Sequence, residues 1–326
     1  MGRGLAAAMD ALPSDRETLV LPADDGLARA AALIRAGQPV AVATETVYGL
    51  AADATSATAV AGIYAAKGRP SFNPLIVHVP DAAAAAGLAA MMDAAERLAA
   101  RFWPGPLTLV LPARAANGIA RIVTAGLATI ALRVPAHPAM RALLAAANRP
   151  LAAPSANASG TISATRAEHV LRSLGGRIPL ILDSGPTAHG LESTIVAVEQ
   201  HRLRLLRPGP LDPELLAAVA GLPLTTTGDD KIEAPGQLSS HYAPAKPLRL
   251  NARDAIPGEW LIGFGAVTGD DTLSDTGNLM QAAANLFDAL HRADASGTAA
   301  IAIAPIPDGG LGRAINDRLK RAAAPR

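Results

Sequence analysis

A lysine and an arginine flank a glycine, Lys67-Gly68-Arg69, where a predicted helix ends and a proline-containing loop leads into a strand (KGRPSFNPLIVHV at 67–79). Two cations around a glycine can approach phosphate oxygens from one loop. Only four of the 29 Lys and Arg residues are Lys, so a lysine here is of interest as a compact point charge. The alternative, which these residues in isolation favour, is a solvated basic helix terminus stabilised by the helix dipole.

Two further polar segments directly follow predicted strands. In ATETVYGLAAD at 43–53, three hydroxyl or carboxyl side chains precede a tyrosine and a glycine. This disfavours a continued strand and predicts a turn that contacts a ligand, with a helix cap or ordinary turn as the alternative. In LAAPSANASGTISAT at 151–165, small residues separate Ser155, Asn157 and Ser163, so that N–H groups and hydroxyls can surround an anion. A serine-rich surface loop is the alternative.

Arg133 interrupts an otherwise apolar predicted strand in TIALRVPAHP at 129–138. A buried arginine must be paired with an acid. Either a ligand or an internal Asp or Glu supplies that acid, and the residue types leave the two open. The segments HGLESTIVAV at 189–198 and LRLLRPG at 203–209 also place polar groups at the ends of predicted strands.

The fingerprints of several other enzyme classes are missing from the sequence. There is no Gly-x-x-x-x-Gly-Lys-Ser/Thr loop, and the glycines of GFGAVTG at 263–269 do not have dinucleotide-binding spacing. Neither a Gly-x-Ser-x-Gly elbow nor a His-Glu-x-x-His helix occurs. The chain has no cysteine and its seven histidines are scattered, so no disulfide, thiolate or metal site is predicted.

Composition predicts a cytoplasmic protein without a membrane segment. The formal net charge of +1 gives no global attraction to nucleic acid or membrane surfaces. No apolar run reaches the length of about 18 residues that a spanning helix needs. The first twenty residues lack the continuous apolar stretch of a signal peptide, and the absence of cysteine fits a reducing compartment.

Alternation of strand-like and helix-like apolar segments predicts an α/β or α+β fold. Because some predicted strands follow one another without a helix between them, we expect a mixed sheet. The predicted strands are 39–43, 75–79, 107–111, 129–133, 180–182, 193–198 and 203–206. The predicted helices are 26–36, 58–67, 94–102, 138–147, 165–174 and 213–220.

A change of composition at Leu224 predicts a division of the chain into a larger domain (15–221), a linker (222–247) and a small α/β domain (248–326). The small domain should contain strands at 260–263 and 299–304 and helices at 279–292 and 310–323. We expect a fragment ending at Gly221 to fold, because the pattern of elements is complete there.

The linker sequence is unusual for a passive tether. Prolines at 235, 244 and 247 stiffen it, and Tyr242 provides a flat face and a hydroxyl between a histidine and an Ala-Pro pair. We therefore expect the linker to cover a cavity as a lid.

Taken together and in this order, TETVYGL, KGRP..NPLIVHV, FWPGPLTLVL, PSANASG, ESTIV, LLRPG and HYAP resemble the threonylcarbamoyl-adenylate synthase family in its two-domain form. The resemblance is dense over residues 17–245 and thinner through GLGRAINDRLKRAA near the C-terminus. Two departures concern loop geometry only: Ala43 stands where a proline is usual, and APGQLSSHYAP varies around the usual linker.

The resemblance implies a YrdC-like catalytic domain, with a twisted mixed sheet and a basic cavity, followed by the linker and a small Rossmann-like domain. It implies that L-threonine, bicarbonate and ATP, with Mg²⁺ on the phosphates, give threonylcarbamoyl-AMP and pyrophosphate. That reaction is the first step of threonylcarbamoyladenosine formation next to the anticodon of tRNAs, and a transient contact with the tRNA threonylcarbamoyl transferase complex is implied as well.

The resemblance also assigns residues to the two substrates. Lys67 and Arg69 are implied to be catalytic. The implied ATP-binding set is Lys67, Arg69, Asn73, Thr129, Ser155, Asn157, Ser163, Arg207 and Tyr242. The implied threonine-binding set is Thr46, His78, Arg133 and Ser193.

Two other functions compete with this one. An RNA-binding maturation factor could use the same basic cavity, although the sequence lacks interleaved aromatic residues and a broad basic excess. A related enzyme could adenylate carbamate itself, although such relatives normally carry additional domains.

Overall fold

Two β-sheets organise the part of the chain that the computed structural model describes, which is residues 17–70, 73–226, 233–237 and 240–325. The larger sheet contains the strands β1 (Leu19–Pro22), β2 (Val40–Ala43), β3 (Tyr48–Asp53), β4 (Ile76–His78), β5 (Leu107–Pro112), β6 (Thr129–Arg133), β7 (Leu151–Ala152), β8 (Leu180–Asp183), β9 (Thr194–Val198), β10 (Leu203–Arg207) and β11 (Leu224–Thr226). Its helices are α1 (Ala23–Arg35), α2 (Ala57–Lys67), α3 (Ala82–Leu88), α4 (Asp93–Phe102), α5 (Pro138–Ala147), α6 (Ala167–Leu174) and α7 (Pro213–Ala220).

The larger sheet is mixed, as the sequence predicts. Its order is β1-β8-β2-β3-β7-β4-β6-β5-β9-β10-β11. Strands β4 and β6 run parallel, as do β5 and β9, whereas β3, β7 and β4 alternate in direction. This arrangement brings the ends of β4, β6 and β10 and the start of β9 to one region of the sheet.

Local sequence signals explain where several helices begin and end. The Ser56 side chain accepts a hydrogen bond from the backbone of Ala59 at the start of α2, and Gly68 ends that helix with a φ of 60°. Asp212 caps α7 ahead of Pro213, and Gly221 ends it with a φ of 64°. Because Gly68 ends α2, Lys67 is the last residue of that helix and Arg69 is the first residue after the glycine.

The larger sheet is covered by a hydrophobic cluster on each face, and alternate residues of a strand point into one cluster or the other. In β2, Val40 and Val42 pack with the cluster that includes Ile34 of α1, whereas Ala41 and Ala43 belong to the cluster on the other face. The core is built from aliphatic side chains, in keeping with an aromatic content of 3%.

The small sheet is entirely parallel in its described pairings. It contains β12 (Leu248–Arg249), β13 (Glu259–Gly263), β14 (Asp271–Thr272) and β15 (Ala300–Ile303) in the order β12-β15-β13-β14. Its helices are α8 (Leu279–Ala295) and α9 (Gly312–Ala322). This is the small Rossmann-like α/β unit that the resemblance implies.

The two sheets belong to units that pack closely together. Val47, Ile162 and Leu191 join the hydrophobic cluster of the small sheet and its helices. Gly190 has a φ of +67°, and a Cβ there would lie 2.4 Å from the carbonyl oxygen of Ala283 in α8. A side chain at position 190 would therefore push the two units apart.

The structure corrects two expectations about the larger sheet. The polar segment after β2 is a turn only from 44 to 47, and β3 begins at Tyr48, because that residue resumes pairing with Ala43. The sheet is also incomplete at Gly221, since Leu224–Thr226 forms a further parallel strand beside β10. A fragment ending at Gly221 would lose that strand.

The described residues do not cover every predicted feature. Residues 15, 16, 71 and 72 of the predicted larger domain, 227–232 and 238–239 of the predicted linker, and 326 of the predicted small domain lie outside them. In the part of the chain that is described, no helix combines the length and apolar character needed to cross a membrane.

Candidate active site

A single cavity collects most of the polar residues singled out by the sequence. It encloses about 520 Å³ of space not filled by protein atoms, including open solvent at its mouth. It is lined by Thr44, Thr46, Val47, Gly49, Arg69, Ile76, His78, Arg133, Ala153, Pro154, Ser155, Glu192, Ser193, Arg207, Pro235, Gly236, His241 and Tyr242. The cavity therefore lies between the edge formed by the strand ends and the described part of the linker.

Strand register places two of these residues side by side. His78 and Arg133 are the last residues of β4 and β6, and they are paired in the parallel register of those strands. Ser193 immediately precedes β9, and Arg207 is the last residue of the antiparallel neighbour β10. Sheet topology thus gathers residues that are up to about 130 positions apart in sequence.

Lys67 and Arg69 are both buried; Arg69 is part of the cavity wall, and Lys67 lies behind it. The Lys67 ammonium group donates to the carbonyl oxygen of Ser155 at 2.6 Å and also to that of Asn157. Arg69 donates to the carbonyl of Pro74 at 3.2 Å. Among the described residues, neither cation forms an ion pair with a carboxylate, and the hydrogen bonds of both go to backbone carbonyl oxygens.

Burial shifts the pKa values of these cations in the direction expected for charges without a counter-ion. Burial, reinforced by the neighbouring Arg69, holds the pKa of Lys67 well below its ordinary value. Burial also lowers the pKa of Arg69 to about 10. A bound anion would restore both values, since it would stabilise the protonated forms.

Arg133 has an internal acid partner, which answers the question that the sequence leaves open. Its Nη2 donates to Oε1 of Glu45 at 2.7 Å, and its Nη1 donates to Oγ1 of Thr46 at 3.0 Å. Burial alone would raise the pKa of Glu45, but the charge and hydrogen bond of Arg133 outweigh it and lower that pKa to about 2. The guanidinium retains further N–H groups at both Nη atoms, and it lines the cavity.

Ser193 connects Arg207 with the rest of the wall. Arg207 donates through Nη2 to Oγ of Ser193 at 3.1 Å, and through Nε to the carbonyl oxygen of the same residue at 3.1 Å. The Ser193 hydroxyl lies 2.7 Å from that of Thr108. Burial lowers the pKa of Arg207, as it does for Arg69.

The linker forms one wall of the cavity. Tyr242 is 1% exposed and has a φ of 63°, and its ring contacts the rings of His241 and Phe287. Gly236 approaches the Tyr242 hydroxyl so closely that a Cβ would lie 2.7 Å from it. Arg207 donates through Nη1 to the carbonyl oxygen of Pro235 at 3.3 Å, which ties the linker to β10.

Unpartnered hydrogen-bonding atoms concentrate at this cavity. Among the described residues, Nε of Arg69, Nδ1 of His78, Nδ1 of His241 and the hydroxyl of Tyr242 are buried without a protein partner. Burial lowers the pKa of both histidines to about 3, so each is neutral near pH 7. Buried polar groups normally find partners, so this cluster indicates a place for a polar ligand.

The structure brings together most, but not all, of the residues assigned from the resemblance. Those that line the cavity are Thr46, Arg69, His78, Arg133, Ser155, Ser193, Arg207 and Tyr242. Lys67 and Ser163 lie one hydrogen bond behind this wall, through Ser155 and Glu192, and Asn157 lies further back as an acceptor from Lys67. Asn73 is buried with an unpartnered Oδ1, and Thr129 is half-buried at the start of β6; neither lines the cavity.

Two glutamates of the site were not assigned from the sequence. Glu45 pairs with Arg133, and Glu192 accepts hydrogen bonds from Ser163 and from Arg318 of α9. The need of a buried arginine for an acid was a usable signal for Glu45, one residue before Thr46. Glu192 is the first residue of ESTIV, but its role was not assigned, because its partner Arg318 is 126 positions away.

The fold is a mixed-sheet α/β structure, and its cavity places buried cations beside unpartnered polar atoms, an arrangement suited to an anionic, polar ligand. A family model described as "Telomere recombination" (Sua5, YciO and YrdC) matches residues 32–209, and one described as "Threonylcarbamoyl-AMP synthase, C-terminal domain" matches residues 211–324. The chain belongs to the threonylcarbamoyl-AMP synthase family, in its two-domain form, which confirms the resemblance seen in the sequence.

Curated relatives and a solved structure agree with this membership. The chain is 41% identical to the threonylcarbamoyl-AMP synthase of Bacillus subtilis, over 93% of this chain and 94% of that protein. It is 39% identical to that of Pyrococcus abyssi, over 90% and 93% of the two chains. A structure described as P. abyssi Sua5 complexed with L-threonine is similar with a TM-score of 0.86 and 36% identity, covering 94% of this chain and 98% of that one.

Proposed function

We propose that the protein is an L-threonylcarbamoyladenylate synthase, which converts L-threonine, bicarbonate and ATP into threonylcarbamoyl-AMP and pyrophosphate. Bicarbonate takes up a proton and loses water to give carbon dioxide, and the threonine amine adds to that carbon dioxide and releases a proton to give a carbamate. A carbamate oxygen then attacks the α-phosphorus of ATP, the bond to the β-phosphate oxygen breaks, and pyrophosphate leaves. No protein nucleophile is needed, so the reaction depends on positioning and electrostatics.

The observation that carries this proposal is the joining of two basic sets in one cavity. Arg133 with Thr46 and His78 forms one set, and Arg69 with Arg207 forms the other. Ser193 accepts a hydrogen bond from Arg207 and lines the same cavity. Two anionic reactants must meet in this reaction, and two neighbouring cationic sets would hold them within reach of each other.

We assign the first set to threonine. The free Nη hydrogens of Arg133 would donate to the amino-acid carboxylate, while Glu45 holds the guanidinium in place. Thr46 and Ser193 supply hydroxyls, and the neutral imidazole of His78 has an unpartnered Nδ1. A neutral imidazole in this position does not repel the amine before it reacts.

We assign the second set to ATP. Arg69 and Arg207 would contact the phosphates, with Lys67 supporting them from behind through the carbonyls of Ser155 and Asn157. Their role is to stabilise the charge that develops as pyrophosphate leaves. The unpartnered Tyr242 hydroxyl would meet the nucleotide from the linker side.

The described residues do not fit a protein-held Mg²⁺ site. No group of three or more His, Asp or Glu among them is arranged to hold a metal ion. The two carboxylates near the cavity, Glu45 and Glu192, are already engaged by Arg133 and Arg318. We therefore treat Mg²⁺ as part of the substrate, carried on the ATP phosphates with water.

The burial of the cavity cations supports a small-molecule enzyme rather than an RNA-binding factor. Arg69, Arg133 and Arg207 are 8%, 3% and 5% exposed. A polynucleotide backbone needs cations along an open surface, which these side chains do not provide. We propose that the product serves threonylcarbamoyladenosine formation in tRNA within the cytoplasm, through a transient contact with the transferase complex that consumes it.

The test is pyrophosphate release measured with each substrate omitted in turn. Release should require L-threonine and bicarbonate together with ATP. Equal ATP turnover without threonine would contradict the proposal and would favour an enzyme that adenylates carbamate itself.

A further inference from the structure

Arg318 connects the small domain with the cavity of the larger one. It lies on α9 and is 0% exposed, the largest fully buried side chain in the described residues. Its Nε donates to Oε2 of Glu192 at 2.9 Å, and its Nη1 donates to the carbonyl oxygen of Pro208 at 2.9 Å. Its guanidinium carbon lies 5.3 Å from the centre of the Tyr242 ring.

Arg318 also donates through Nη1 to Oδ2 of Asp317 at 2.8 Å, but only two of its partners, Glu192 and Tyr242, are parts of the cavity wall. Glu192 lines the cavity, and its second oxygen accepts a hydrogen bond from Ser163, a residue assigned to ATP from the resemblance. Tyr242 lines the cavity from the linker side. Arg318 itself does not line the cavity, so any effect on substrates passes through these neighbours.

Glu192 is a buried carboxylate in a site that must accept phosphates. Burial alone would raise its pKa, but the charge of Arg318 and then that of Arg207 outweigh it and lower that pKa. A buried carboxylate that loses its main partner must find another cation or take up a proton. Arg207 is the other cation acting on Glu192, and the phosphates would have to compete for it.

We propose that Arg318 is a positioning residue of the active site: by pairing with Glu192 and packing on Tyr242, it leaves Arg207 available for the ATP phosphates. The small domain thus completes the nucleotide subsite through one side chain. This inference rests on the proposed function, because it requires that the cavity binds ATP.

The test compares the affinity of variants for α,β-methylene-ATP, an analogue that cannot release pyrophosphate, by titration calorimetry. Arg318→Met should weaken binding about tenfold, the cost of losing one charge-assisted contact. Combining Arg318→Met with Glu192→Gln should recover most of that loss, since the competing charge is gone. Arg313→Met, which removes a half-exposed arginine from the same helix, is the matched control and should bind normally.

A merely structural role for Arg318 predicts a different pattern. The double variant would then bind no better than Arg318→Met, and that result would overturn the inference, as would normal binding by Arg318→Met. If the methionine variant does not fold, Arg318→Lys replaces it, with a smaller weakening that Glu192→Gln again reverses. Failure of the unaltered protein to bind the analogue would overturn the proposed function as well, whereas normal binding by Arg318→Met overturns this inference alone.

Discussion

Lys67 and Arg69 donate to backbone carbonyl oxygens and pair with no carboxylate among the described residues; Arg69 lines the cavity, and Lys67 supports its wall through Ser155. Replacing either by methionine should lower kcat/KM about a hundredfold or more, by analogy with the loss of an oxyanion-stabilising donor. Steady-state pyrophosphate release measures the effect, with thermal unfolding as the check on folding. Arg29→Met, at an exposed position of α1, is the control. Near-normal turnover in both variants would return this loop to the role of a basic helix terminus.

Arg133 offers a second prediction at the level of a single residue. Arg133→Lys keeps a charge for Glu45 but cannot reproduce the planar fork that also reaches Thr46. We expect the KM for L-threonine to rise about tenfold and the KM for ATP to change much less. Equal changes in the two constants would indicate that Arg133 only maintains the structure of the turn after β2.

The sequence predicted the cations of the site better than its carboxylates. Lys67 and Arg69 flank a glycine at a helix end and Arg133 interrupts an apolar strand, so each was a candidate with an alternative, and the resemblance assigned these three and Arg207 to substrates. Glu192 could not be found this way, because an acid in an anion-binding cavity makes sense only once its arginine partner is known. That partner comes from another domain, and spacing along the chain does not reveal it.

Tyr242 belongs to the linker, and its hydroxyl has no partner among the described residues. Tyr242→Phe removes this hydroxyl alone, so it should raise the KM for ATP several-fold without lowering the melting temperature. Tyr48→Phe is the control with the opposite expected result. The Tyr48 hydroxyl donates to the carbonyl of Gly185 at 2.8 Å and lies outside the cavity, so its loss should lower the melting temperature and leave the KM for ATP unchanged. An unchanged KM for ATP in Tyr242→Phe would show that the hydroxyl does not contact the nucleotide.

The structure changes what can be expected of two larger alterations of the linker. Tyr242 packs against Phe287 and Arg318, so Tyr242→Ala would leave a cavity and cost about 3–5 kcal/mol of stability. A loss of activity in this variant would therefore not distinguish a missing nucleotide contact from a weakened fold. A fragment ending at Gly221 would lose both β11 and the Arg318 contact to Glu192.

Element boundaries followed the sequence where capping chemistry is local. Helices α5 and α7 coincide with the predicted segments 138–147 and 213–220, and each begins with a proline. β3 and β11 were not predicted: β3 follows three polar residues, β11 is only three residues long, and both form by pairing with neighbouring strands. Pairing partners across a sheet are a tertiary property, which a local pattern does not contain.

Buried neutral histidines make the stability of the whole molecule depend on pH. His78, His241 and His291 have pKa values lowered to about 3, chiefly by burial. In the unfolded chain each histidine would have a pKa of about 6.5. Their stabilising contribution is therefore complete above about pH 6.5 and is lost as the pH falls towards 3, because only the unfolded state takes up the protons.

We expect the free energy of unfolding to fall by about 1.4 kcal/mol per pH unit for each of these histidines between about pH 6 and 4. Denaturant titrations at several pH values measure this slope. His291→Gln should reduce the slope, because it removes one of the titrating groups. This histidine is suitable because it lies outside the cavity, stacked on His169 with ring centres 3.8 Å apart. A stability that is constant over this pH range would contradict the assignment of these histidines as neutral.

The central claim is that this chain joins threonine, bicarbonate carbon and the adenylyl group of ATP in one product. The most direct measurement is mass spectrometry of the product formed with bicarbonate labelled with carbon-13. We expect threonylcarbamoyl-AMP that carries the heavy carbon and forms only when L-threonine is present. A product that contains threonine and AMP without the labelled carbon, or a carbamoyl-AMP that forms without threonine, would contradict it.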